Sequence, residues 1–178
     1  GLMMCHVFGV RDQRAYPFAV DLGVAMQITN IARDILEDAE RDRLYVPSTL
    51  LDAPVSCEGL IRGDADQRAN AYQGAMRMLD IADEYYASAA MGYGYLPASV
   101  RQAIKVAARL YQAIGEKVSR NETAYWQRRT VVSTERKCLL IAELFVRRMR
   151  DGSSTLKVGK YQHAEHLHLA LDQRRFTA

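Results

Sequence analysis

Four polar side chains recur at helical steps inside an otherwise apolar segment: Gln27, Asn30, Asp34 and Asp38. On an α-helix each residue turns by about 100°, so Asp34, Gln27 and Asp38 fall within about 40°, 60° and 80° of Asn30. All four share one arc, and Gly23 lies in the same arc one turn upstream. Met26, Ile28, Ile31, Ile35 and Leu36 point elsewhere. The helix is therefore expected to be buried on nearly all sides. An unpaired carboxylate in a core costs several kcal/mol even after relaxation, and two of them at i and i+4 repel each other. Hard oxygen donors of this kind suit Mg²⁺, with Mn²⁺ as an alternative, and Mg²⁺ commonly shares its coordination sphere with substrate phosphates. Arg33 is placed to meet phosphate oxygens. The bland alternative is a solvated acidic face. Glu37, Glu40 and Asp42 add charge as a surface would. The residues alone leave both readings open.

The elements that would carry the stripe read as helical throughout. Ala, Leu, Met, Arg, Gln and Glu dominate, and apolar residues recur at three- and four-residue steps. Residues 1 to 10 read as the end of a helix and residues 11 to 16 as a turn. Pro17 suits the first turn of a helix running to about Glu40. Residues 42 to 63, with Pro47 and Pro54, read as a loop. A second long helix spans residues 64 to 90, opened by an Asp64 cap. Gly92 and Gly94 break it, and Pro97 starts a third helix to about Asn121. Ser133 or Thr134 caps a fourth that ends near Gly152. No strand-like alternation and no internal repeat is visible. Residues 151 to 178 read as a partly disordered tail with a short helix at 164 to 171. Its His163, His166 and His168 fit no standard ligand spacing and read as solvated.

Composition narrows the function classes. The chain has 178 residues, half of them apolar, with a formal net charge of +3, enough for one domain with a real core. Basic residues are interleaved with acids, which argues against a nucleic-acid partner. Cys5, Cys57 and Cys138 form neither a metal motif nor a disulfide framework, and a reducing compartment fits them best. No apolar run reaches the roughly 20 residues of a membrane span.

The run from Gln27 through Thr29, Asn30, Arg33, Asp34, Glu37 and Asp38 to Arg43, Tyr45 and Pro47 resembles the second aspartate-rich motif of the squalene/phytoene synthase family. Leu96, Pro97, Arg101, Ala103, Ile104, Tyr111 and Ile114 look like that family's later substrate-pocket helix. Trp126 to Arg128 and Ser133 to Lys137 look like its bacterial phytoene synthase branch. The resemblance covers residues 1 to 150 and implies an all-α fold. It would be a helical bundle of the isoprenoid synthase type, incomplete at the N-terminus, with residues 151 to 178 as a tail.

The resemblance implies head-to-head condensation of two geranylgeranyl diphosphates to phytoene, through a cyclopropyl diphosphate. Asn30, Asp34 and Asp38 would be metal ligands, with Asp34 and Asp38 catalytic in that sense. Gln27, Arg33, Tyr111 and Arg128 would touch substrate or diphosphate. From the residues alone, Tyr111 reads as a core aromatic and Arg128 as a surface arginine. The alternatives are a squalene or hydroxysqualene synthase using farnesyl diphosphate, or a non-catalytic scaffold relative. Prenyl diphosphates are the expected partners, in the cytoplasm and with room for peripheral membrane contact. Oligomeric state is left open.

Two departures from the family pattern stand out. Asp42 occupies a position where the family commonly has Gly, just past the metal helix, and Asp tolerates a left-handed cap better than most residues. The family's first aspartate-rich motif has no counterpart upstream of Gln27 in this sequence. The chain therefore reads as the C-terminal part of such an enzyme, expected to be inactive alone.

Overall fold

The computed structural model describes residues 1–150 and 163–168. Among them there is no strand: there are eight α-helices, with 3-10 turns in three of the connections between them. They are α1 (Leu2–Val7), α2 (Tyr16–Arg33), α3 (Ile35–Ala39), α4 (Cys57–Arg62), α5 (Ala65–Met91), α6 (Ala98–Val118), α7 (Glu122–Gln127) and α8 (Thr134–Arg150). No described helix is long and apolar enough to cross a membrane.

The long helices begin where cap chemistry predicts. Asp64 accepts the Gln67 N–H at 3.0 Å ahead of α5, satisfying one of the donors left free at a helix start. Pro17 lies in the first turn of α2. Pro97 caps α6. Of the two candidates ahead of α8, Ser133 is the one that accepts a backbone N–H, from Arg136 at 3.3 Å.

Helix α2 packs mainly along α5 and also against α6. Small side chains permit the approach. Ala25 and Ala32 on α2 are fully buried, as are Ala71, Ala75, Ala82 and Ala89 on α5. The α5 positions lie four or seven residues apart, so they form one stripe facing α2. Gly92 closes the far end. A Cβ there would stand 2.3 Å from the Phe18 Cβ, so only hydrogen fits. Tight packing thus accounts for Gly92.

Three expectations need correction. The first long helix does not run unbroken to Glu40: it stops at Arg33 and restarts at Ile35, with Asp34 between at φ −105°, ψ 16°. The span from 42 to 63 is not all loop, because Ser56 accepts the Gly59 N–H and starts α4. Residues after Asn121 include a helix the periodicity did not suggest. Asn121 caps α7 by accepting the Ala124 N–H at 2.9 Å. A six-residue helix is too short to reveal a 3.6-residue period.

The tail departs from expectation as well. Glu165–His168 form a 3-10 turn, and residues 169 to 171 of the expected short helix lie outside the described residues. His163 and His168 are not solvated: their side chains are 12% and 18% exposed and meet buried Asp21. Sequence spacing could not reveal this, because the partner is 142 residues away. His166 does keep a largely exposed side chain.

Candidate active site around the break between α2 and α3

The helical ladder survives the break just enough to keep the stripe aligned. The Asp34 N–H donates to the Asn30 carbonyl at 3.0 Å, and the Asp38 N–H donates to the Asp34 carbonyl at 2.8 Å. Asn30, Asp34 and Asp38 therefore remain one above another. Beyond them, the Arg43 N–H returns to the Asp38 carbonyl at 2.9 Å, and Asp42 takes the left-handed conformation at φ 57°. Among the described residues it is the one non-glycine to do so. Aspartate at this cap position is tolerated as expected.

A tyrosine fills the gap in the ladder. Tyr125 on α7 is 5% exposed, and its hydroxyl donates to the Ala32 carbonyl at 2.8 Å. Ala32 is fully buried. The break removes the amide this carbonyl would ordinarily meet one turn on, and the hydroxyl stands in for it. Burial pushes the Tyr125 phenol well above its usual pKa, and the Asp34 charge adds to that. The Ile35 N–H acts in the opposite sense as a donor to the same oxygen. Tyr72 backs Tyr125 at 5.4 Å and donates to the Val118 carbonyl at 3.0 Å.

Asp34 is held by two guanidiniums. Arg33 Nε donates to its Oδ1 at 2.6 Å, and Arg33 Nη2 pairs with Oδ2. Arg129 adds a second fork, Nε to Oδ1 at 3.1 Å and Nη2 to Oδ2 at 3.2 Å. Arg129 also approaches Glu37 at 3.6 Å. Burial alone would raise the Asp34 pKa, but the Arg33 and Arg129 hydrogen bonds outweigh it and hold the carboxyl below the usual range. Arg33 is shifted upward in turn, chiefly by its bond to Asp34. Tyr111 contributes to that shift, so its phenol lies within electrostatic reach of Arg33.

Asp38 differs. Among the described residues its carboxylate makes no hydrogen bond or ion pair. Burial pushes its pKa up, and the Asp34 charge pushes it further. Asn30 is half-buried and Gln27 is exposed. Neither amide is engaged by another described side chain. The stripe is therefore less enclosed than the apolar character of α2 suggested. The argument that burial demands a cation weakens at Asp34, which two arginines contact, and also at half-buried Asp38, where the Arg41 and Arg43 charges act against the burial and the Asp34 charge.

The remaining candidates separate. Tyr111 is half-buried against Ala25, Ala82, Tyr86 and Ala108, so it is a core aromatic, with its phenol within electrostatic reach of Arg33. Arg128 is exposed, and the residue that reaches Asp34 is its neighbour Arg129. Backbone extension explains the exchange. Arg128 sits at φ −162°, ψ 153°, beyond the end of α7, and successive side chains of an extended segment point to opposite sides. The sequence shows an arginine pair but not which member faces the stripe. Tyr125 and Arg129 were both missed. The signal for them was weak: an Asn cap followed by adjacent aromatics at 125 and 126.

Chemically, the arrangement offers an amide and two carboxylates on one face, with two guanidiniums and a phenol beside them. Hard oxygen donors suit a divalent cation such as Mg²⁺, and forked guanidiniums suit phosphate oxygens. Asp38, with no hydrogen bond or ion pair among the described residues, is the carboxylate whose oxygens are open to such a cation.

The squalene/phytoene synthase family model matches residues 1–136. The chain is 41% identical over 144 residues to the 15-cis-phytoene synthase of Enterobacter agglomerans, covering 79% of this chain and 48% of that protein. It is 41% identical over 142 residues to the phytoene synthase of Pseudescherichia vulneris, covering 79% of this chain and 45% of that one. Identity to the 15-cis-phytoene synthase of a Paracoccus strain is also 41%, over 130 residues, covering 72% and 41%. The chain spans about half the length of the curated relatives it matches.

Proposed function

Because the chain belongs to the squalene/phytoene synthase family, we propose that the full-length protein condenses two geranylgeranyl diphosphates to phytoene and that residues 27 to 38 form one wall of its diphosphate site. The observation that carries this reading is the aligned face of Asn30, Asp34 and Asp38, held in register across the helix break and flanked by Arg33 and Arg129. Likeness to proteins named phytoene synthase favours geranylgeranyl over farnesyl diphosphate.

In this reading Asn30, Asp34 and Asp38 hold Mg²⁺, with Mn²⁺ as a substitute. When bound, Mg²⁺ supplies charge neutralisation that lets the allylic C–O bond ionise. The chain's own residues do the rest. Arg33 and Arg129 offer planar forks to diphosphate oxygens, and Asp34 orients both forks before substrate arrives. Gln27, exposed on the arc it shares with Asn30, contacts the substrate, and Arg129 takes the place that the resemblance gave to Arg128. Tyr111 closes the inner side and keeps water from the developing carbocation. Prenyl diphosphates are amphiphiles, so a cytoplasmic protein making peripheral contact with a membrane surface fits their supply.

The test is product formation by the full-length protein with each prenyl diphosphate and Mg²⁺. Phytoene from geranylgeranyl diphosphate is expected, and exclusive use of farnesyl diphosphate overturns the assignment. Asp34→Asn should abolish Mg²⁺-dependent diphosphate release. Unchanged release would instead favour a scaffold role.

A further inference from the structure

Asp21 lies on α2, about 180° around the helix from Asn30 and therefore away from the stripe. Its carboxylate is fully buried. Such a charge is costly unless it is paired or coordinates a metal. Three groups converge on it. Ser88 Oγ, itself 1% exposed, donates to Oδ2 at 2.6 Å. His163 Nε2 lies 2.8 Å from Oδ2, and His168 Nε2 lies 2.7 Å from Oδ1.

The two imidazoles are delivered by a docked segment. His163 meets the Phe18 ring edge-on at 5.3 Å. The Tyr85 hydroxyl donates to the Leu167 carbonyl at 2.9 Å. One ligand atom from each of Asp21, His163 and His168 lies within 4.8 Å of the others.

We propose that Asp21, His163 and His168 form a binding site for a borderline-soft divalent cation, best matched by Zn²⁺, separate from the diphosphate site. Two imidazole nitrogens and one carboxylate are a zinc-type donor set, unlike the all-oxygen stripe that suits Mg²⁺. Both histidines turn Nε2 toward the Asp21 carboxylate, one to each oxygen, so the three donors lie close enough to share one ion. Ser88 supplies the outer hydrogen bond that fixes the carboxylate, as outer partners of metal ligands do. Zn²⁺ would tie the segment at 163–168 to α2, with Asp21 as the shared ligand. The reading does not rest on the prenyl transfer assigned to the other face.

The test uses the full chain stripped of metal with a chelator, then given Zn²⁺ in the presence of excess Mg²⁺. One Zn²⁺ per chain is expected to remain after gel filtration, measured by elemental analysis. Co²⁺ in its place should give visible ligand-field absorption. His163→Ala and His168→Ala should each weaken Zn²⁺ binding at least about tenfold, and Ser88→Ala about 10- to 100-fold. Both histidine variants keep the α2–α5 core, which circular dichroism checks. His166→Ala is the control, since that side chain is 67% exposed, and it should bind Zn²⁺ as the parent does. No Zn²⁺ retained by the parent chain, or equal retention by the His163 and His168 variants, overturns the proposal.

Discussion

Replacing Tyr125 by Phe isolates the hydroxyl that spans the break between α2 and α3. The ring stays, so packing against Tyr72 and Trp126 is kept. What is lost is the 2.8 Å bond to the carbonyl of fully buried Ala32. An orphaned buried acceptor costs about 1–3 kcal/mol. For a chain of this size each kcal/mol lowers Tm by about 2–4 °C, so a loss of about 2 kcal/mol gives a fall of about 4–8 °C. Tyr72→Phe is the matched comparison, since Tyr72 also donates to a buried backbone carbonyl, that of Val118. Calorimetry should find both variants destabilised by similar amounts. They should part in a second assay. Tyr125→Phe loosens the segment that carries Asp34, so the Mg²⁺ concentration needed for half-maximal diphosphate release by the full-length protein should rise. Tyr72→Phe should leave that concentration unchanged. A Tyr125→Phe Tm within about 1 °C of the parent, below a 0.5 kcal/mol effect, would refute the claim that the hydroxyl completes the ladder. Equal Mg²⁺ dependence of the two variants would refute its link to the site.

Three further outcomes follow from the same geometry. Asp38→Asn should raise stability slightly while removing Mg²⁺-dependent activity: burial and then Asp34 hold the Asp38 pKa up, and like charges at i and i+4 cost about 0.2–0.5 kcal/mol. That cost is absent below the unfolded carboxyl pKa of about 3.9 and appears as pH rises through the higher folded value, so the gain in chemical-denaturation midpoint should show at pH 7 and vanish at pH 3. Arg129→Ala should act oppositely on Asp34, whose lowered pKa contributes stability that is present above about pH 4 and lost as pH falls through the folded value. Its removal should move the acid-unfolding midpoint upward, with less than about 1 kcal/mol lost at neutral pH because Arg129 is half exposed. Gly92→Ala should cost about 1–3 kcal/mol by overpacking against Phe18, read as a lower thermal midpoint without change in the stripe.

Much of the site was legible because it is local. Gln27, Asn30, Asp34 and Asp38 are related by helical periodicity alone, and their order with Arg33 and the segment at 43 to 47 was enough to reveal the family. The all-α character and the starts of α2, α5, α6 and α8 were legible for the same reason: caps, prolines and three-four spacing act over a few residues. Asp42 belongs here too, since a residue tolerant of positive φ was predicted at the cap where one is found.

What the tertiary structure decided is everything that depends on partners distant in the chain. Arg129 reaches Asp34 across 95 residues and Tyr125 reaches Ala32 across 93. His163 reaches Asp21 across 142. No periodicity links such pairs. The choice between Arg128 and Arg129 turned on a single extended residue. The break at Asp34 depends on a hydroxyl supplied from another helix. The sequence determined which side chains share a face, because backbone geometry sets that over a few turns. Only packing determined which of those carboxylates a distant arginine holds, as Arg129 holds Asp34.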